Sequence, residues 1–516
     1  MTREGTKAQR HDVEDKDPAR LSSPSRLRAF LPSCLIPLAL ILLTLIAYFP
    51  LLHAGWVWDD TDYVVKNLNL RDAAGLGRIW TDVQANWQYY PLVFTTFWLE
   101  FHAWGLSTIG YHADNILIQA INSILLWRVL CRLEFQRSTA LLAAAIFAIH
   151  PVEVETVGWI AERKNLLCGL FYFSAMLVYM RVDFHQIHGP GSRRYLRAWL
   201  LFVCSLFSKT VSCTWPAVVL VLIWWKNGRI RRHDVWPLVP FFLVGAAYSS
   251  LTGWLEKHQV GALGREWTFT VADRWIIAGR ALWFYACKAV WPLRLIFIYP
   301  KWNLHDDRAV QAIAPALALI VLLALIVLSR RIGRAPAAAA MLFAGTVAPA
   351  LGFVNFYPQR YSFVADHFQY LAIIALIVPA AFLLRKLAGN WAFVIVLPLA
   401  VLTWRRSLVY HDPITFWADA ATQDPGSWMT HVNLAHKLWN AGRVDDAEVQ
   451  FYTAVEVNPT EPDCWYELAH FQEEGRYQWA AAERSLLRVY QLDPDYPDPG
   501  AAKLLAYVRM MQQRNR

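Results

Sequence analysis

Charge is scarce in this chain. Of its 516 residues 17% are Asp, Glu, Lys or Arg and 56% are hydrophobic, where soluble domains carry about a quarter charged. With a mean hydropathy of +0.27, this shortage excludes an ordinary soluble globule and indicates a polytopic membrane protein. Cysteine supplies no framework. Cys34, Cys131, Cys168, Cys204, Cys213 and Cys287 lie in or beside apolar segments, Cys464 stands alone, and no pair has metal spacing. Neither a zinc site nor a disulfide scaffold is indicated. No small-residue cleavage site closes the first apolar run, SCLIPLALILLTLIAYFPLLHA, so it reads as a retained span and not a signal peptide. Ionisable residues are also missing from mid-span positions, Lys209 near a short span's end excepted. Transporters place charge at the midplane on broken helices, so transport is disfavoured. The net charge of +9 sits in short clusters between apolar segments. That is the pattern of cytoplasmic loops, not of a nucleic-acid surface.

What is present is a series of apolar segments near 30–50, 113–131, 139–150, 166–181, 198–209, 212–226, 236–253, 308–328, 335–354, 371–386 and 391–404. A span needs roughly 20 apolar residues, fewer when bases snorkel at its ends. Eleven spans with the N-terminal tail (1–28) inside put the basic clusters at 26–28, 132–137, 193–197, 226–232, 330–334 and 385–386 in the cytoplasm. Arg405-Arg406 is the exception and falls outside. The stretch IIAGRALWFYACKAVWPLRLIFIYP (276–300) carries Arg280, Lys288 and Arg294 and is read as an amphipathic helix at the outer interface. The polar stretches 51–112, 150–165, 254–307 and 355–370 then share the outer face, as does the tail 405–516.

That tail loses its long apolar runs and becomes more acidic. Asp424-Pro425, Asn458-Pro459 and Asp493-Pro494 recur at 34 and 35 residues, Leu434-Ala435 and Leu468-Ala469 at 34, and Gly442-Arg443 matches Gly475-Arg476 with one residue slipped. This is the tetratricopeptide period, each unit a helix pair. Two repeats and a final helix (498–513) are expected.

Three outer-face constellations carry chemistry. GWVWDDTDY (55–63) follows directly on the first span and sets Asp59 and Asp60 among Trp56, Trp58 and Tyr63, residues suited to the headgroup level. Read blandly, the acids are a solvated pair. At this depth, however, a carboxylate is partly desolvated and can serve as a general base on a hydroxyl. HPVEVETVGWIAERKN (150–165) offers His150, Glu153, Glu155, Glu162, Arg163 and Lys164, with His-Pro breaking a helix. Interfacial ion pairs would explain it; bases beside acids could also bind a phosphate while a carboxylate orients a sugar hydroxyl. NFYPQRYSFVADHFQYLA (355–372) sets Arg360, Asp366 and His367 among aromatics. The alternatives there are an interfacial Arg with a capping Asp, or a guanidinium holding a lipid-linked phosphate by two hydrogen bonds. His102 and His112 read as structural. An interfacial reaction on a lipid-borne substrate fits this distribution better than transport.

The order of these motifs resembles a known family. Trp58-Asp59-Asp60 through Asn67, Tyr89 to Leu92, Gly110 to Leu117, His150 to Leu167 and the terminal repeats resemble the GT-C superfamily of polyprenyl-phosphate-sugar glycosyltransferases. More closely, they resemble the transmembrane and tetratricopeptide-repeat O-mannosyltransferases and their bacterial relatives, from about residue 30 onward. The resemblance implies an all-α, GT-C-type helix bundle of about eleven spans (29–404) with a C-terminal tetratricopeptide-repeat domain (405–516). It implies an inverting transfer of one sugar from polyprenyl phosphate to an acceptor hydroxyl, protein or glycan, with Asp59 as base and Asp60 in support. Asp60 stands where mannosyltransferases often have Glu, and its reach is one methylene shorter. The leaving phosphate falls to Arg360 first and to Arg163 and Lys164 second. Glu153, Glu155, Glu162, His150, Asp366 and His367 are further substrate-binding candidates. No cofactor is required, and a divalent cation is compatible but optional. The repeats would bind a protein acceptor or partner. Competing readings are a transferase acting on lipid-linked or envelope glycans and a non-catalytic scaffold built on the repeats. The short tail and compact array favour a bacterial inner membrane with a periplasmic active face.

Overall fold

The computed structural model describes residues 24–181 and 193–514, apart from 263, 265, 266 and 305; the expected tail 1–28 therefore lies outside the described residues up to 23. The described chain is helical, with no strand among the described residues. Seven helices build the N-terminal part, which supplies one side of the candidate site: α1 (Pro24–Ala47), α2 (Ala73–Thr81), α3 (Pro91–Trp104), α4 (Thr108–Arg132), α5 (Arg137–Ala148), α6 (Val154–Gly158) and α7 (Arg163–Tyr179).

Helix α4 is the centre of this part, packing on α1, α5 and α7. One of its faces carries Asn115, Gln119, Asn122 and Ser123, all fully buried, at the spacing that stacks side chains on one stripe. That polar stripe has a purpose. Between α5 and α6 the His150-Pro151 break bends the path by 43° and strands carbonyls in apolar surroundings, where each needs a donor. Gln119 donates to Phe147 O (3.1 Å), Asn115 to Val157 O (3.1 Å), and Thr403 to Ile149 O (2.6 Å); Asn122 instead ties α4 to α7 through Leu166 O (2.8 Å). The break is thereby paid for in hydrogen bonds and held in one geometry.

By length and composition, three described segments can cross a membrane: Arg232–His258, Arg308–Ile332 and Ile374–Leu408, or four if the bent pair Arg137–Ala148 with Pro151–Gly158 is one span. Expected spans at 30–50 and 335–354 correspond to the shorter apolar helices Leu35–Ala47 and Ala335–Ala350. The stretch expected at the interface is a 20-residue helix, Val271–Val290, followed by a non-helical return that carries Phe297 back to the core. It crosses the helix Ile313–Ile332 closely: a Cβ at Gly279 would meet Pro315 N at 2.3 Å.

The tail forms six helices, Pro413–Gln423, Trp428–Asn440, Val444–Val457, Pro462–His470, Trp479–Leu492 and Pro499–Arg514, each packed on the next. Asp424, Asn458 and Asp493 each cap the C-terminus of a helix, and the following prolines prevent its continuation. Ala435 and Ala469 are fully buried where helices pack.

Candidate functional site

The chain leaves α1 through a short turn and enters the loop 55–72, and Asp60 decides how that loop sits. Its carboxylate is buried and spent on the backbone, accepting from Val57 N (3.0 Å) and Ala161 N (2.7 Å). Asp60 thus staples the 57–60 turn to the 159–162 turn, leaving Asp59 to face a cavity of about 820 Å³.

Asp59 Oδ1 accepts a hydrogen bond from Trp159 Nε1 (2.9 Å). Burial raises its pKa to about 7, with Lys164 and the Trp159 bond pulling down and Glu162 and Asp62 pushing up. A carboxylate so placed is a base poised near neutrality. Across the same cavity, Glu162 is held by Lys164 (3.0 Å) and Lys209 (2.9 Å) and by Asn165 (2.8 Å). Burial pushes the Glu162 pKa up, but His367, Lys164 and Lys209 outweigh it and bring it to about 2. Burial likewise opposes charge on Lys164, yet Glu162, Tyr63 and Asp59 hold its pKa well above the usual lysine value. The result is a cluster with two cations around one carboxylate. His367 completes the wall, its Nδ1 2.7 Å from Glu155 Oε1. Aromatic and aliphatic side chains, among them Trp58, Tyr63, Phe297 and Tyr361, line the rest.

Of the residues singled out in the sequence, Asp59, Glu155, Glu162, Lys164 and His367 line this one cavity. Others go elsewhere. Arg163 is buried against Glu100, Asn115 Oδ1 (2.6 Å) and Tyr111 O (2.7 Å), a brace between α3, α4 and α7. Arg360 does not line the cavity; its guanidinium meets Glu461 (3.1 Å) and Asp463 (2.8 Å) in the C-terminal helices. Asp366 accepts from Tyr299 (3.0 Å), and burial first, then Glu155, raises its pKa to about 8. Glu153 is buried and does not line the cavity, and His150 Nε2 lies 3.1 Å from Ala289 O. His112 is buried and His102 stacks on Trp98, neither in the cavity wall. Sequence reasoning passed over three contributors: Lys209 as a partner of Glu162, Trp159 as donor to Asp59, and Glu256, which joins Gln88 (2.9 Å) to Tyr357 N (3.1 Å). A lone lysine at a span's end was the available signal for the first. The others depend on contacts between distant segments. Among the described residues no group of three or more His, Cys, Asp or Glu gathers as a metal site.

A helical protein with candidate membrane spans and a half-buried acid on one cavity with a lysine cluster is the class these observations define. Comparison with known proteins sharpens it. A Caenorhabditis elegans protein named protein O-mannosyl-transferase F38B6.6 is 22% identical over 82% of this chain, which covers 63% of that protein. Human protein O-mannosyl-transferase TMTC4 is 28% identical over 31% of this chain and 24% of its own length, and human TMTC3 28% over 26% and 16%. This chain is a homologue of proteins named protein O-mannosyl-transferases, and it spans less than two thirds of the length of these relatives. No family model matches the chain, and no solved structure matches it.

Proposed function

We propose that this protein transfers a single sugar, mannose or a similar hexose, from a polyprenyl-phosphate donor to an acceptor hydroxyl, foremost on protein, with inversion at the anomeric carbon. The observation that carries this reading is the placement of the Asp59 carboxylate and the Lys164–Glu162–Lys209 cluster on one cavity with apolar walls. The names of the relatives point the same way. Asp59 takes the proton from the acceptor hydroxyl, whose oxygen forms the new bond to the anomeric carbon. The bond from that carbon to the phosphate oxygen breaks, and polyprenyl phosphate leaves with the added charge. Lys164 and Lys209 stabilise that charge, while Glu162 keeps them charged and aimed before the donor arrives. The phosphate role thus passes from Arg360 and Arg163, whose guanidinium groups are engaged elsewhere, to the lysine pair. With Glu162 ionised between them, the two lysines leave one net positive charge for the phosphate, and a divalent cation is optional. The apolar walls receive the first part of the lipid. The reading keeps eleven spans, an extracytoplasmic face for the cavity, and tetratricopeptide repeats that present the acceptor.

The test is donor consumption by protein in nanodiscs supplied with labelled polyprenyl-phosphate mannose and envelope extract as acceptor source. Turnover that disappears in Asp59→Asn supports the reading. A panel of polyprenyl-phosphate sugars left intact by the wild type, with Asp59→Asn still complementing a deletion, overturns it.

A further inference from the structure

Trp58, the residue before the proposed base, has φ +47°, in the left-handed region that residues bearing a Cβ rarely adopt. Such a conformation persists only where the surroundings over-determine it, and here the far end of the chain supplies one of the rings that surround it. The Trp58 ring lies 5.1 Å from that of Trp417 and 5.3 Å from that of Phe297. Trp417 is fully buried in the helix Pro413–Gln423. Two hydrogen bonds fasten the same junction, backbone Gly55 N to His411 O (3.1 Å) and the side-chain Nε2 of Gln423 to Leu295 O (3.2 Å). A second clasp adjoins the first, since the Tyr361 ring lies 6.2 Å from that of Trp58. Arg360 meets Glu461 (3.1 Å) and Asp463 (2.8 Å), and next to it Tyr361, a cavity wall residue, packs its ring 6.1 Å from that of Trp428.

We propose that the C-terminal helices are a built-in part of the transfer site: Trp417, acting through Trp58, sets the aim of Asp59, and the clasp of Arg360 by Glu461 and Asp463 holds the Tyr361 wall in place. These are positioning residues, since none touches the reacting atoms. The inference rests on the reading of Asp59 as the base. It assigns the tail a role separate from acceptor binding: the site is incomplete without it even for a small acceptor.

The test uses the full chain in nanodiscs. Trp417→Ala is expected to lower kcat by at least about tenfold, since a misplaced reacting group is costly, with the donor KM nearly unchanged. The acid limb of the pH profile should move to lower pH as water reaches Asp59, and amide exchange over residues 55–63 should quicken. Trp417→Phe, which keeps a ring against Trp58, should restore most of the rate. Arg360→Glu should lose activity and regain it when combined with Glu461→Arg and Asp463→Arg, an arm that carries the test if Trp417→Ala does not fold. Wild-type kcat, pH limb and exchange in folded Trp417→Ala, or no recovery in the charge swap, overturns the inference. Exchange over 55–63 is read without any donor. Faster exchange in a protein whose wild type consumes no donor therefore sinks the transferase reading while leaving the Trp417–Trp58 support standing.

Discussion

At the scale of single residues, two adjacent acids have opposite fates because their neighbours differ. Asp60 is surrounded by backbone donors and becomes a staple; Asp59 meets an indole N–H, a lysine cluster and open cavity. If Asp59 is the base, Asp59→Asn should cost about 10²–10⁴ in kcat, the usual contribution of a positioned base, measured by single-turnover donor loss. Its pH dependence follows from the sign of the shift. The pKa is raised to about 7 and the base works deprotonated, so kcat/KM should rise with pH up to about 7 and level off above it. Trp159→Phe removes a donor that favours the carboxylate, so the rising limb should move to higher pH. A limb that stays in place would show that the indole does not tune Asp59. The lysines make a further expectation: with Lys164 and Lys209 carrying the phosphate, turnover should survive dialysis against EDTA. Its loss on dialysis, restored by a divalent cation, would assign part of that charge to a metal.

Elements show where local sequence and packing disagree. In the second repeat, Phe471–Gly475 forms a π-helical turn, which inserts one residue into the helix. The left-handed turn position, held by Gly442 (φ +76°) in the first repeat, therefore arrives one residue late and falls on Tyr477 (φ +55°). The slip of Gly475-Arg476 against Gly442-Arg443 marks this same junction. Tyr477 is 68% exposed and keeps little packing to lose, so Tyr477→Gly should stabilise the array by up to about 1 kcal/mol, the scale of the left-handed penalty. A lowered melting midpoint would instead show that the ring contact with Trp479 outweighs the strain. Gly279 is the reverse case. Its hydrogen lets the helix Val271–Val290 touch Pro315, and Gly279→Ala should destabilise by about 1–3 kcal/mol through overpacking, read as a fall in thermal midpoint in detergent.

Across the whole molecule, the cavity gathers segments from residue 58 to residue 371, and its aromatic wall is backed by helices beyond residue 412. The proposed topology adds a check at this scale. With Val271–Val290 lying at the outer interface, a cysteine introduced at Arg331 should be labelled only from the cytoplasmic side and one at Gln84 only from the other. Labelling of both from one side would make Val271–Val290 a crossing and reverse every later loop.

The sequence by itself determined the helical membrane character, the His150-Pro151 break, the 34-residue period of the tail and the acid pair after the first apolar run. Each is a local matter of hydropathy, proline chemistry or periodicity, and none needs a partner far along the chain. It also marked three of the segments that meet at the cavity, because charge among aromatics stands out against apolar surroundings. Tertiary structure alone decided which marked residues face the cavity. Arg360 and Arg163 read like Lys164 in the sequence, yet the first is drawn off by Glu461 and Asp463 and the second by Glu100. A cation withdrawn from water goes to whichever carboxylate folding brings beside it. That neighbour lies about 100 residues away for Arg360 and 63 for Arg163, a separation at which no local pattern carries the pairing.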